Sequence, residues 1–104
     1  METKYFFVKI NPCRPDFAQT LSEEERKIMQ QHAVYWRGYM EQGKVVVFGP
    51  VFDPSGAFGM GVVRAQDTRE LDEWLAADPA GVLNKFEYHP MRAVLPTSTD
   101  SLPK

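Results

Sequence analysis

Four short runs of aromatic and β-branched residues, separated by two stretches of helical periodicity, constrain what this chain can fold into. "KYFFVKI" (residues 4–10) reads as a strand, and "NPCRP" behind it ends the run. At Ser22-Glu23-Glu24-Glu25 a helix opens, with Ser22 as cap and Glu25 able to reach back as its capping-box partner. The acidic first turn suits the positive end of the helix dipole. That helix is expected to run to about Gln42, with Gly43 closing it in the left-handed conformation. "KVVVFGP" is the second strand, "FDPSG" a turn, and "AFGMGVVRA" the third strand. Asp67 or Thr68 caps a second, short helix that carries Leu71, Trp74 and Leu75 on one face, and Asp78-Pro79 ends it. "NKFEYHPMRAVL" is the last strand, with Phe86 and Tyr88 in alternation. Pro90 cannot donate to a ladder, so this strand belongs at an edge or is bulged there.

Strand, helix, strand, strand, helix, strand is the order of two right-handed crossovers sharing one antiparallel sheet. The expected fold is therefore a ferredoxin-like α+β sandwich with both helices on one face, the first and third strands central and the last at an edge. The length of 104 residues fits one domain. Its expected extent is residues 1–96, with the polar stretch "PTSTDSLPK" leaving residues 97–104 as a loose tail. Side chains alternate along a strand, so Phe6, Val8 and Ile10 oppose Tyr5 and Phe7, while Val45 and Val47 oppose Val46 and Phe48. Both faces of the sheet are thus apolar, yet two helices cover only one. A homodimer packed sheet to sheet is the expected remedy. Gly59 and Gly61 leave one face of the third strand bare, open to close approach by backbone or ligand.

Charge and composition exclude some partners. A net charge of −2 offers no field for gathering polyanions, so nucleic acid is not an expected partner. No apolar run approaches the roughly 18 residues of a membrane span, and the N-terminus has no signal-peptide pattern, so the expected location is the cytoplasm. Cys13 is the single cysteine, which excludes an internal disulfide; set among prolines, it reads as a structural loop residue.

One titratable residue stands out. Stepping about 100° per residue from Ile28 gathers Met29, His32, Ala33, Tyr35, Trp36, Tyr39 and Met40 into one arc, with Gln30, Arg37 and Glu41 opposite. His32 lies near the middle of the apolar arc. Its ring is either a core histidine satisfied by a hydrogen bond or a general base oriented by a carboxylate. Asp78 is the best-placed carboxylate, since chain reversal at the helix end can aim it inward; equally, it can cap the turn that follows. His89, next to Pro90, reads as solvated. No compact ligand spacing suggests a metal and no glycine loop suggests a phosphate, so no cofactor is expected.

"YFFVKI", "QQHAVYWRGYMEQG" leading into "KVVVFGPV", and "LDEWLAADPAGV" followed by "FEYHPMRAV" together resemble the YciI-like (YCII-related) family of the dimeric α+β barrel group, up to about Pro96. The ordered set of His, Gly, Gly-Pro and Asp-Pro carries the resemblance. It implies that His32 and Asp78 form the active-site pair. Many relatives have an arginine just before the histidine, where this chain has Met29, Gln30 and Gln31. Relatives that dehydrohalogenate chlorinated aromatic breakdown products, and similar folds that isomerise muconolactones, imply a cofactor-independent lyase or isomerase. Its histidine would remove a proton beside an activated carbon. Tyr35, Trp36 and Phe48, with Gly49, Pro50 and the bare glycine strand, are the candidate pocket wall for a small planar substrate. The rival reading is a non-catalytic dimeric domain that binds a small ligand or assists another protein.

Overall fold

The computed structural model describes residues 4–96; the expected tail at 97–104 lies outside the described residues. Its elements are β1 (Lys4–Pro12), α1 (Glu23–Glu41), β2 (Val45–Val51), β3 (Phe58–Ala65), α2 (Thr68–Ala76) and β4 (Asn84–Met91), with short 3₁₀ turns at Phe17–Gln19 and Pro79–Val82. The four strands form one sheet in the order β2-β3-β1-β4, every neighbouring pair antiparallel. This is the ferredoxin-like α+β arrangement: β1 and β3 are central, and β4, which contains Pro90, lies at an edge. Strand β1 runs two residues further than its apolar pattern, because Asn11 and Pro12 still pair with β4 after pairing with β3 has stopped at Ile10.

The helices begin where their caps dictate. Ser22 accepts from the Glu25 amide at 3.1 Å and Glu25 accepts from the Ser22 amide at 2.9 Å, so the capping box closes in both directions. Asp67, rather than Thr68, caps α2 by accepting from the Glu70 amide at 2.9 Å. Gly43 takes the left-handed conformation at φ +81° and lets the chain leave α1 for β2.

One face of the sheet receives both helices. Phe6, Val8 and Ile10 from β1, Val45, Val63 and Ala65 from the neighbouring strands, Trp36 from α1 and Leu71, Trp74 and Leu75 from α2 form the buried cluster. Strict alternation in β2 fails. Val45 pairs with Val63 and Val47 with Val62, so Val46 is an extra residue in a bulge. Val45 is 4% exposed and Val47 is 47% exposed, the opposite of sharing a face, while Phe48 turns to the helix side opposite Gly61 and packs 5.7 Å from Trp36. The bulge is what puts Val45 and Phe48 in the same layer. The bare glycines of β3 meet this layer too. A Cβ on Gly61 would stand 2.5 Å from Trp36 Cζ3, and one on Gly59 would stand 3.2 Å from Ile10 Cβ. Core side chains occupy the space that the two glycines leave.

Candidate active site

The site is assembled by α1 and by the turn after α2. His32 projects from the middle of α1 and its Nδ1 lies 2.9 and 2.8 Å from the two carboxylate oxygens of Asp78. Trp36, one turn further along α1, donates its indole N–H to Asp78 Oδ2 at 2.6 Å. The Ala80 amide donates to Asp78 Oδ1 at 2.8 Å, which makes Asp78 the cap of the Pro79–Val82 turn. Asp78 therefore does both of the jobs that its sequence position suggests: it caps the turn and reaches the histidine. A fully buried carboxylate is costly unless its lone pairs are met, and three donors meet them here. As a carboxylate Asp78 only accepts, so Nδ1 of His32 carries the proton between them, and whenever the ring is neutral its lone pair is on Nε2. Among the described residues Nε2 has no hydrogen-bond partner, and it is not among the sealed, unpaired side-chain atoms, of which Trp74 Nε1 is the one found. Nε2 is open.

His32 lines a cavity of about 320 Å³ between the middle of α1, the 3₁₀ turn Phe17–Gln19 and the Pro50 end of the sheet. Phe17, Leu21, Met29, Phe48 and Phe58 supply apolar walls, Gly49, Pro50 and Gly59 supply backbone, and His32 and Asn84 are the hydrogen-bonding side chains. Arg14 fastens this wall. Its guanidinium makes a two-pronged pair with Glu25 at 2.9 and 2.8 Å and also donates to the Thr20 side chain and carbonyl at 2.9 and 2.8 Å. Held in this way, the chain after β1 folds back onto the first turn of α1. The hydrogen bond from Arg14 holds the Glu25 carboxyl down at about 2.

The chain matches the model of the YCII-related domain over residues 5–93. It belongs to that family. Among solved structures it is similar to the 5-chloro-2-hydroxyhydroquinone dehydrochlorinase of Burkholderia phenoliruptrix AC1100 in complex with 2,5-dihydroxybenzoquinone, with a TM-score of 0.64, 15% identity, and coverage of 84% of this chain and 93% of that one. It is also similar to the uncharacterized protein TM1266 of Thermotoga maritima, with a TM-score of 0.55 and 11% identity over 88% of this chain and all of that one. These likenesses establish a shared fold. Comparison with curated protein sequences gives no match.

In this YCII-related domain the candidate residues divide into those on the cavity and those behind it. His32, Phe48, Gly49 and Pro50 line the cavity, and Asp78 stands behind the imidazole. Trp36 does not line it; the residue is fully buried between Asp78 and Gly61. Tyr35 does not line it either. Its hydroxyl donates to the Trp74 carbonyl at 2.7 Å, its ring meets Tyr39 edge-on at 5.2 Å, and burial pushes its phenol above the usual range. His89 is exposed, 3.4 Å from Glu87. Among the described residues no three His, Cys, Asp or Glu side chains are grouped so as to hold a metal ion, and no helix is long and apolar enough to cross a membrane.

Sequence reasoning missed the indole donor to Asp78, the Phe17 and Leu21 walls, and Asn84. Trp36 follows His32 at the i, i+4 spacing that puts two residues on one helix face, a signal that could have suggested a shared partner. Phe17 and Leu21 lie in the stretch between β1 and α1 that reads only as a connection, and Asn84 opens β4 with no pattern to mark it.

Proposed function

We propose that this YCII-related domain is a cofactor-independent enzyme of lyase or isomerase type in which His32 is the general base and Asp78 its orienting partner. The observation that carries the reading is the division of the imidazole: Nδ1 is held by a buried carboxylate, Nε2 has no hydrogen-bond partner among the described residues, and the residue lines an apolar cavity. In this scheme a substrate carbon next to an activating carbonyl or hydroxylated ring gives up its proton to Nε2. The C–H electron pair moves into a new double bond. In a dehydrohalogenation the halide then leaves with its bonding pair; in an isomerisation the imidazolium returns the proton to another carbon. Asp78 stabilises the imidazolium through Nδ1–H without taking the proton itself. The likeness to a dehydrochlorinase supports halide loss as the first reaction to try.

The test is turnover of a panel of chlorinated hydroxyhydroquinones and unsaturated lactones, followed by chloride release or absorbance. His32→Gln is expected to lower turnover by at least about 100-fold, the usual scale of general-base catalysis. Asp78→Asn is expected to do so less severely, by leaving the ring in the wrong tautomer. Full turnover by His32→Gln, or none by the wild type across the panel, counts against the reading.

We also propose that the domain is a cytoplasmic homodimer joined through the helix-free face of the sheet. Direct cross-strand partners share a face. Tyr5 and Met91, Phe7 and Val62, and Val47 across from Val62 therefore lie together on the side away from the helices, with Val47 and Met91 47% and 38% exposed. Arg64, His89, Lys9 and Glu87 share that face by the same pairing, and the apolar side chains between them favour a second copy as the cover.

A further inference from the structure

We infer that Trp36 is a positioning residue for His32, acting through Asp78, and that the bare face of β3 at Gly61 is what seats it. As a statement about catalysis this rests on the reading of His32 as the base; as a statement about linked side chains it stands on geometry. Two of the three donors to Asp78 can only donate. The Trp36 indole takes Oδ2 at 2.6 Å and the Ala80 amide takes Oδ1 at 2.8 Å. His32 Nδ1 lies between them, 2.9 and 2.8 Å from the two oxygens. The plane of the carboxylate is thus fixed from both sides, and both donors serve it whether the imidazole is neutral or charged. The Ala80 amide comes with the turn that Asp78 caps. The indole comes from another element, and a substitution can remove it.

Trp36 has little freedom to point its N–H elsewhere. It is fully buried, with the Phe48 ring 5.7 Å and the Trp74 ring 5.3 Å from its own. Its benzene edge rests on Gly61, where a Cβ would stand 2.5 Å from Cζ3 and 3.0 Å from Cη2. Gly61 pairs with Val8 on one side and Phe48 on the other, so the sheet holds its backbone in place. A side chain there displaces the ring and draws the N–H off Oδ2. The link from the sheet to the imidazole therefore runs Gly61, Trp36, Asp78, His32.

A donor to a carboxylate draws negative charge from it. Without the indole, Oδ2 carries more charge, which favours the protonated imidazole, and the carboxylate is freer to turn. Few other charges intervene. No charged side chain lines the cavity on the His32 side. Burial pushes the Tyr35 phenol up, so it stays neutral near Asp78, and Asp72, in the groove behind Asp78, accepts from the Tyr88 hydroxyl at 2.7 Å.

The chain has two tryptophans, and their indole N–H resonances in the wild type test the link without substrate. The Trp36 signal is expected downfield of the Trp74 signal and should move with the same pH midpoint as the His32 ring protons, while the Trp74 signal does not. In Gly61→Ala the Trp36 signal should move upfield and exchange faster with solvent. With a substrate in hand, Trp36→Phe should shift the acid limb of the pH–turnover profile toward alkaline pH by about one unit. It should also lower kcat about tenfold with KM unchanged, since Trp36 does not line the cavity. Trp74→Phe serves as the control. A Trp36 indole signal that stays flat through the His32 titration overturns the inference, as does a Trp36→Phe profile that coincides with the wild type. The base reading fails separately: coupled Trp36 and His32 titrations, together with turnover that survives His32→Gln, leave the link standing and remove its catalytic role.

Discussion

The two tryptophans of the core offer a comparison in which most of the usual uncertainty cancels. Trp36 is fully buried and Trp74 is 4% exposed, and their rings lie 5.3 Å apart in the same cluster. Replacing either with Phe removes the same indole volume from the same region, so the cavity cost is similar at both positions. The N–H groups differ. That of Trp36 donates to the buried Asp78 carboxylate at 2.6 Å, and that of Trp74 is sealed from solvent with no partner. Hydrogen bonds to charged groups contribute about 1.5–3 kcal/mol, and a buried donor left unmet costs about 1–3 kcal/mol. Trp36→Phe therefore loses a bond where Trp74→Phe sheds a penalty, and the two variants should differ by about 3 kcal/mol, Trp36→Phe being the less stable. For a domain of this size that corresponds to roughly 10–25 °C in melting temperature, measured by circular dichroism together with urea midpoints. Turnover provides an independent readout: Trp36→Phe loosens the carboxylate that orients His32, while Trp74→Phe leaves it held. Equal stabilities for the two variants would refute the claim that the indole donor matters to Asp78.

Gly61→Ala should cost about 1–3 kcal/mol in the wild type, because its Cβ would stand 2.5 Å from the Trp36 ring, and clearly less in the Trp36→Phe background; a double-mutant cycle by urea denaturation checks the coupling. The Glu25 carboxyl is lowered from its ordinary 4.5 to about 2, chiefly by the hydrogen bond from Arg14, so its contribution is whole above pH 4.5 and is lost as pH falls through about 2. Accordingly, the stability gap between the wild type and Glu25→Gln should close across that window and stay flat above it, as followed by acid titration of urea midpoints. Light scattering after size exclusion should give twice the monomer mass at micromolar concentration, and Val62→Glu, at the centre of the helix-free face, should give monomer mass with the fold retained; a monomeric wild type sinks the dimer.

What the chain declares locally and what it settles only when folded fall on different residues. Element order, the capping box at Ser22 and Glu25, the stop at Asp78-Pro79 and the edge position forced by Pro90 rest on interactions within a few residues, or on a missing N–H, and all are legible in sequence. His32 facing the core follows from the helical period alone. Its partner was legible as a candidate because Asp-Pro at a helix end leaves the aspartate few directions to point. Choosing between cap and partner needed the tertiary structure, in which the two roles coexist because one oxygen of Asp78 takes the Ala80 amide and the other the Trp36 indole, while His32 reaches both. The bulge at Val46 is likewise beyond the period-two pattern, since it shows only in the register of β2 against β3, where Phe48 comes opposite Gly61 and packs on Trp36 of α1. The cavity is the extreme case. Its walls come from β1, the stretch after it, α1, β2, β3 and the first residue of β4. Contacts between segments so far apart in the chain carry no local signature, so sequence alone can nominate the histidine and only the fold can say what stands in front of it.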